Sequence, residues 1–228
     1  MNSPVITVLM TVYNGEVYLS EAIESILHQT FTDYEFLIID DASKDSSRKI
    51  ILSYKDNRIR YVRNDYNIGQ TASLNFGLSI SKGKYIARID QDDISNSGRI
   101  SSQLKFMNNN QDIIVVGSWA KSINEIGKCN YTIIHPTEPH FIRESITCGC
   151  PLSHSSVFFD RIKIIKVGGY PIELAYAMDW GLWIKCVKNN YKIANIPESL
   201  VSIRTHSNNV TSLKELDLKR LSEQYQLI

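Results

Sequence analysis

The amino-acid sequence predicts an α/β fold, with a mostly parallel sheet wound with helices in one continuous domain. The first observation is a near-continuous run of apolar and β-branched residues, 5–12, as expected of a strand buried on both faces. The second is the alternation of such runs with segments whose apolar residues recur at helical spacing. The third is size, because 228 residues, of which 43% are hydrophobic, can bury a substantial core.

The first half of the chain repeats a strand–helix unit. After the opening strand, Tyr13-Asn14-Gly15 forms a turn, and apolar residues at helical spacing predict a helix over 16–29. A buried strand follows and ends in Asp40-Asp41. The remaining predicted elements are a helix around 50–54, a strand over 59–62, a helix through 74–80 and a strand over 85–89.

The regular alternation ends near residue 118, after a helix around 100–107 and a strand over 113–116. Residues 119–175 read as short strands and turns with one helix near 141–146. A helix over 182–189, strands over 193–196 and 200–203, and a terminal helix over 212–227 complete the prediction. This change of pattern divides the domain into halves, 1–118 and 119–228.

Composition excludes several functional classes. A net charge of +1 gives no basis for nucleic-acid binding, which needs clustered basic surfaces. The four cysteines fit no usual zinc spacing, so free and mostly buried thiols are favoured over a site from Cys148, Cys150 and His154. Without a signal-peptide pattern or a bilayer-length apolar run, we expect a cytoplasmic protein with at most peripheral membrane contact. The predicted helix over 212–227 carries both positive and negative side chains, so packing on the domain is favoured over docking on a membrane surface.

Three carboxylates, Asp90, Asp92 and Asp93, follow directly after the predicted strand over 85–89. Ligands of open α/β sheets bind outside the carboxyl ends of the strands. Crowded carboxylates repel one another, and a bound cation relieves that repulsion. The alternative is a solvated acidic turn.

The usual phosphate-binding loops are missing from the sequence. The first turn reads Tyr13-Asn14-Gly15-Glu16 rather than G-x-G-x-x-G, and no G-x-x-x-x-G-K-[ST] occurs. Phosphates would therefore need another neutralising group, and a metal on Asp90-x-Asp92 is the candidate.

Short motifs follow one another in order over nearly the whole chain. They are TVLMTVYN (7–14), AIESILHQT (22–30), IIDDASKD (38–45), NIG (67–69), NFG (75–77), GKYI (83–86), DQDD (90–93), Arg99, HSSV (154–157), GGY (168–170), DWGLW (179–183) and RTH (204–206). Each motif is short, but the ordered set resembles the family-2 inverting glycosyltransferases, which have the GT-A fold.

The resemblance implies a UDP-sugar donor bound by the 1–118 half. Tyr13 would offer its ring to the base, unless it only caps the core, and Asp41 would accept a hydrogen bond from uracil N3–H. Asp40 is instead a possible cap for the helix that follows. The predicted donor-binding residues are Thr11, Tyr13, Asn14, Glu16, Asp41, Asn67, Gln70, Asn75, Asp90, Gln91 and Asp92.

The resemblance also implies a divalent cation, Mn²⁺ or Mg²⁺, on Asp92. His206 is predicted to reach this metal or the diphosphate from the C-terminal side, with a structural role as the alternative. Asp93 is expected to be a helix cap or a supporting residue. Arg99 is expected to hold the carboxylate loop, residues 90–93.

In the 119–228 half, the resemblance implies an acceptor site with Asp179 as the general base. Family members usually carry Glu-Asp here, and this chain has Met178-Asp179, so the acidic neighbour is lost. An N-cap is the structural alternative for Asp179. His154 and Trp180 are predicted to contact the acceptor, a glycan or a lipid-linked glycan of surface polysaccharide or lipooligosaccharide synthesis. A structural role is the alternative for His154, and one of Trp180 and Trp183 is expected in the core.

Two other functions compete with this prediction. A sugar-phosphate nucleotidylyltransferase shares the fold type, but its first loop should be rich in glycine and arginine, unlike Tyr13-Asn14-Gly15. A non-catalytic nucleotide- or carbohydrate-binding relic is the second alternative, motivated by Met178.

Overall fold

The computed structural model describes residues 3–207, 209 and 222–223. Nine strands and seven α-helices lie in these residues, with a short 3₁₀ helix at His154–Ser156. The strands are β1 (Ile6–Val12), β2 (Tyr34–Asp40), β3 (Ile59–Arg63), β4 (Tyr85–Ile89), β5 (Ile94–Ser95), β6 (Ile113–Ile123), β7 (Cys129–Ile133), β8 (Phe158–Asp160) and β9 (Lys192–Arg204). The helices are α1 (Leu19–Leu27), α2 (Ser47–Ser53), α3 (Gln70–Ile80), α4 (Arg99–Asn109), α5 (Pro139–Ser145), α6 (Arg161–Lys166) and α7 (Met178–Lys188).

The strands form one mixed sheet in the order β3-β2-β1-β4-β8-β6-β9-β5, with β7 paired to β6. The first four strands are parallel, and β6 also pairs in parallel with β9. Only β8, β5 and β7 run antiparallel to their neighbours among the described strands. Each parallel pair needs a crossover connection, which the helices supply.

Both faces of the sheet are covered. In β1, Val8 and Met10 belong to one hydrophobic cluster with Ile23 of α1, because alternate side chains of a strand point to opposite faces. Leu9 belongs to the cluster on the other face with Leu74 of α3. Since helices cover both faces, polar groups have open space mainly at the strand ends.

The second half is more regular than the sequence predicted. The two strands predicted over 193–196 and 200–203 are one strand, β9, because the parallel pairing with β6 continues across a register shift at Trp119. β6 runs on to Ile123 and turns back into β7. The helix predicted near 141–146 is α5, whereas β5 was not predicted. The first predicted helix is shorter than expected, and the helix predicted over 212–227 lies outside the described residues except for 222–223.

The cysteines are all free, but the prediction that most are buried is wrong. Cys129 and Cys148 are exposed, Cys150 is partly buried and only Cys186 is buried. Within the described ranges, no group of three or more metal-ligating side chains of the His, Cys, Asp and Glu types comes together, so the zinc alternative has no support. In the same part of the chain, no helix is long and apolar enough to cross a membrane.

Candidate functional site

The loops after β1, β2 and β4 meet at one edge of the sheet. Val12 lies opposite Asp40 and Met10 lies opposite Ile89, so the three strands end side by side. The backbone N–H of Asp41 donates to the carbonyl oxygen of Val12 over 2.7 Å. The carboxyl ends therefore form the open crevice in which α/β sheets bind ligands.

The loop after β1 is locked to the loop after β2 by reciprocal hydrogen bonds. The Asn14 amide oxygen accepts from Lys44 N over 2.8 Å, and a Glu16 carboxylate oxygen accepts from Ser46 N over 2.8 Å. In return, Glu16 N donates to Asp45 over 2.9 Å. The side chains of Asn14 and Glu16, predicted to bind the donor, thus hold the edge of the crevice.

Asp41 is fastened from three sides. Its Oδ1 accepts from Asn64 Nδ2 over 2.7 Å and from Ile68 N over 2.9 Å, and its Oδ2 accepts from Gly69 N over 2.9 Å. The side chain of Asn67 donates to the Asp41 carbonyl oxygen over 3.3 Å. Because a carboxylate has about four acceptor positions and three are used here, the Oδ2 atom has one acceptor position left.

Asp40 does not cap α2, contrary to the alternative drawn from the sequence. α2 begins at Ser47, and Asp40 is fully buried beneath the loop. Its Oδ1 accepts from Ser43 N over 2.8 Å, and its Oδ2 accepts from the Tyr61 hydroxyl over 2.7 Å. This carboxylate therefore braces the loop that presents Asp41.

Gln91 clamps the carboxylate loop to the end of β1. Its Oε1 accepts from Tyr13 N over 2.9 Å, and its Nε2 donates to the Tyr13 carbonyl oxygen over 3.2 Å. A Cβ on Gly15 would lie 2.5 Å from Gln91 Oε1, so a larger residue there would displace this amide. Tyr13 is 42% exposed, whereas Thr11 is buried in β1.

Asp90 is held by a buried arginine. Arg88, 1% exposed, donates to both Asp90 carboxylate oxygens in a bidentate pair. The Ser155 hydroxyl donates to Asp90 Oδ2 over 2.9 Å, and Gln70 Nε2 donates to Oδ1 over 3.1 Å. Such bidentate pairs fix both position and plane of a carboxylate.

Asp92 and His206, the two predicted metal ligands, lie next to each other. Asp92 Oδ2 lies 2.9 Å from His206 Nε2 and 3.2 Å from Asn209 Nδ2. Burial and the Asp90 charge raise the pKa of Asp92, while the contact with His206 lowers it. One carboxylate and one imidazole fit a divalent cation that takes its other ligands from phosphate oxygens and water.

Asp93 and Arg99 support this loop from below. Asp93 Oδ1 accepts from Arg204 N over 2.8 Å, and burial together with the Asp92 and Asp90 charges raises its pKa well above the usual range. Arg99 is buried and donates to the Arg88 carbonyl oxygen over 2.7 Å. Asp93 is therefore a supporting residue, and Arg99 holds the strand that carries the loop.

Asp179 lies in the first turn of α7 in a very different environment. Its Oδ1 accepts from Trp180 N over 2.7 Å, and its Oδ2 lies 3.7 Å from the Cys150 sulfur. Burial raises the pKa of Asp179, and the Trp180 N–H and the Arg88 charge oppose that rise. A carboxylate with a raised pKa is suited to accept a proton near neutral pH.

The other predicted acceptor residues pack inside the protein. Trp180 is 5% exposed and donates its indole N–H to the Ile146 carbonyl oxygen over 2.6 Å, and Trp183 is buried as well. His154 Nε2 lies 2.9 Å from the Tyr170 hydroxyl, and burial lowers the pKa of this imidazole. The Asn75 amide, predicted to contact the donor, exchanges two hydrogen bonds with the Tyr170 backbone.

Several residues that build the site were not singled out from the sequence. Arg88 interrupts an apolar strand, which is a readable signal for a buried charge that needs a partner. Arg204 and Ser155 were named only as parts of motifs, and Cys150 only as a thiol and as a disfavoured zinc ligand. No local pattern pairs Ser155 or Asn209 with its partner, which is 65 or 117 residues away.

Comparison with known proteins gives this geometry a context. Residues 7–162 match the family described as Glycosyl transferase family 2. An uncharacterized glycosyltransferase of Methanocaldococcus jannaschii is 36% identical over 214 residues, covering 90% of this chain and 72% of the relative. The UDP-Gal:alpha-D-GlcNAc-diphosphoundecaprenol beta-1,3-galactosyltransferase of Escherichia coli is 32% identical over 212 residues, covering 89% of this chain and 75% of the relative.

Two solved structures share the fold. S. aureus TarS 1-349 in complex with UDP-GlcNAc superimposes with a TM-score of 0.80 at 20% identity, covering 97% of this chain and 64% of that one. The mannosyltransferase PcManGT from Pyrobaculum calidifontis, in complex with GDP-Man and Mn²⁺, gives a TM-score of 0.75 at 15% identity, covering 99% of this chain and 64% of that one. The chain thus spans less than two thirds of either structure, and the predicted GT-A type of fold is confirmed.

Proposed function

The chain belongs to glycosyl transferase family 2, and we propose that it is an inverting, metal-dependent enzyme that moves a sugar from a UDP-sugar to a glycan or lipid-linked acceptor. The observation that carries the proposal is the contact between Asp92 Oδ2 and His206 Nε2, 2.9 Å apart. Two groups that prefer divalent cations meet at the edge where nucleotides bind in α/β sheets.

The donor nucleotide would lie across the loops after β1, β2 and β4. The exposed Tyr13 side chain would offer a flat apolar face to the base, and Asp41 Oδ2, which accepts from Gly69 N, would use its second acceptor position for an N–H of the base. The uracil base has such an N–H at N3. Asp41 would therefore select the base through a carboxylate that three other donors hold in place.

The diphosphate would lie above Asp92 and His206, which would hold Mn²⁺ or Mg²⁺. When bound, this cation supplies positive charge that stabilises the diphosphate as it leaves. Asp90 would fix the position of this loop rather than accept from the ribose. Arg88, Ser155 and Gln70 already fill the acceptor positions of its two oxygens. Gln91 would keep this loop in register with Tyr13.

Asp179 would act as the general base. The acceptor hydroxyl oxygen would attack the anomeric carbon in line with the bond to the diphosphate, and Asp179 would take the hydroxyl proton. One new C–O bond forms, the bond to the diphosphate breaks, and the leaving group carries away the electron pair. A single displacement inverts the anomeric centre. Its raised pKa helps Asp179 to accept the proton.

The acceptor class rests on the relative from Escherichia coli, whose name specifies a sugar on diphosphoundecaprenol. We propose a glycan or lipid-linked acceptor of the same broad class for this chain, as used in surface polysaccharide or lipooligosaccharide synthesis. A lipid-linked acceptor would bring the protein to the membrane surface through its substrate.

Calorimetric titration with UDP, GDP and dTDP, each with and without Mn²⁺, tests the proposal. We expect UDP-selective binding that Mn²⁺ strengthens and that Asp92→Ala weakens, by about tenfold or more. Glu173→Gln, an exposed acidic residue, is the control. Equal binding with and without Mn²⁺ would contradict the metal assignment, and selective binding of GDP would change the donor. Tight UDP binding without transfer from any UDP-sugar would favour a non-catalytic protein.

A further inference from the structure

Tyr18 stands between two residues that come from the far end of the chain. Its ring centroid lies 4.6 Å from the guanidinium carbon of Arg204 and 4.9 Å from the ring centroid of His206. The Tyr18 and His206 rings are tilted by 40°. Both distances lie within the usual contact range for cation–π and aromatic pairs.

The position of Tyr18 is set by the turn that starts α1. Gly15 O accepts hydrogen bonds from Tyr18 N over 3.2 Å and from Leu19 N over 3.1 Å. Glu21 follows three residues later, on the same side of the helix, and pairs with Arg204. The start of α1 thus presents one aromatic ring and one carboxylate to the same guanidinium.

Arg204 is 2% exposed and links three segments around this ring. Its Nε donates to the Asp92 carbonyl oxygen over 3.1 Å, and its Nη1 donates to the Glu125 carbonyl oxygen over 2.9 Å. Its backbone N–H donates to Asp93. Arg204 therefore joins the end of β9 to the carboxylate loop, and His206 follows two residues later.

We propose that Tyr18 is a positioning residue for the metal site: its ring packs against Arg204 and His206 and fixes the imidazole against Asp92. The inference rests on the proposed metal role of Asp92 and His206. Without the ring, Arg204 keeps the backbone of residue 204 in place, but the His206 side chain loses its contact with the Tyr18 ring. The metal affinity then falls because the imidazole must be ordered when the cation binds.

The ring, and not the phenol hydroxyl, carries the proposed role. Tyr18→Phe should therefore bind Mn²⁺ like the wild type, whereas Tyr18→Leu should bind it about five- to twentyfold more weakly in the presence of UDP. Tyr54→Leu is the matched control, because Tyr54 packs against the core and its hydroxyl reaches the Ser20 carbonyl oxygen. Mn²⁺ affinity is measured by calorimetry and by electron paramagnetic resonance of the free ion, without turnover.

A double-mutant cycle separates positioning from general destabilisation. His206→Ala should weaken Mn²⁺ binding, and adding Tyr18→Leu to His206→Ala should cause no further loss. Equal losses from Tyr18→Leu in both backgrounds, or an unchanged affinity in Tyr18→Leu, would overturn the inference while the metal role stands. Absence of Mn²⁺ binding by the wild-type protein with UDP would overturn the metal role and this inference together.

Discussion

The carboxylates after β4 and the carboxylate of Asp179 are two acidic regions built in opposite ways. Asp90 is paired with buried Arg88, and the loop of Asp92 and Asp93 is tied to buried Arg204. Asp179 has a backbone N–H and the Cys150 thiol as its neighbours. The first region holds its charges in place with arginine side chains, and the second leaves one partly buried carboxylate in contact with a backbone N–H and a thiol.

This difference assigns different chemistry to similar groups. Fixed carboxylates that are crowded at a strand end suit cation and donor binding, since a cation relieves their repulsion. A carboxylate whose pKa is raised by burial, and whose contacts are a backbone N–H and a thiol, suits proton transfer. The four predictions below test this contrast, beginning with the largest expected effect.

Asp179→Asn should abolish transfer, with a loss on the order of 10³-fold or more, and leave the affinity for UDP nearly unchanged. Because the folded-state pKa of Asp179 is raised, ionisation of this group lowers the free energy of unfolding. The loss is fully present above the folded-state pKa and disappears as the pH falls to the ordinary pKa of an aspartate. The melting temperature at pH 7 should therefore not fall in the variant. Steady-state rates and calorimetry measure these effects, and turnover at the wild-type rate would show that another group accepts the proton.

Arg88→Met should cost about 3 kcal/mol of unfolding free energy, because it leaves the Asp90 carboxylate without its cation. Arg88→Lys, which keeps the charge but not the bidentate geometry, should cost less. Urea unfolding measures both variants. A stability for Arg88→Met equal to that of the wild type would remove the contrast between the two regions.

The rate of transfer at saturating donor should fall about tenfold per pH unit on the acid side, because the base must be ionised. Since burial raises the pKa of Asp179, the midpoint of this acid limb of the pH–rate profile should lie at a pH above the ordinary pKa range of an aspartate. Rates of transfer between pH 4 and 9 measure it. A limb at the ordinary aspartate range would contradict the environment described for Asp179.

Cys150→Ser should have the smallest effect. A hydroxyl is a stronger hydrogen-bond donor than a thiol, so it favours the ionised form of Asp179 and moves the acid limb to lower pH. The rate on that limb should rise about twofold, with little change at neutral pH. Cys148→Ser, at an exposed cysteine, is the control. An acid limb at unchanged or higher pH would show that a hydroxyl at this position does not stabilise the ionised Asp179.

Much of this organisation could be predicted from the sequence. The strands β1 to β4 were predicted within a residue or two, because a strand buried on both faces is a continuous apolar run between turns. The ordered motifs predicted the family, and the GT-A fold follows from it. The 119–175 segment and β9 were predicted less well, because their pairing joins β6 to residues some 80 positions away.

By itself, the sequence determined the apolar strands, the helical spacing and the places of the acidic residues after the strands, all of which are local patterns of side-chain chemistry. Only the tertiary structure decided which charges meet. His206 contacts Asp92, which lies 114 residues earlier in the chain. Arg88 pairs with Asp90, and its positive charge also lowers the pKa of Asp179, which lies in the 119–228 half. Local sequence patterns do not predict such pairs, because the energy of a buried charge depends on partners that only the folded chain brings within hydrogen-bonding distance.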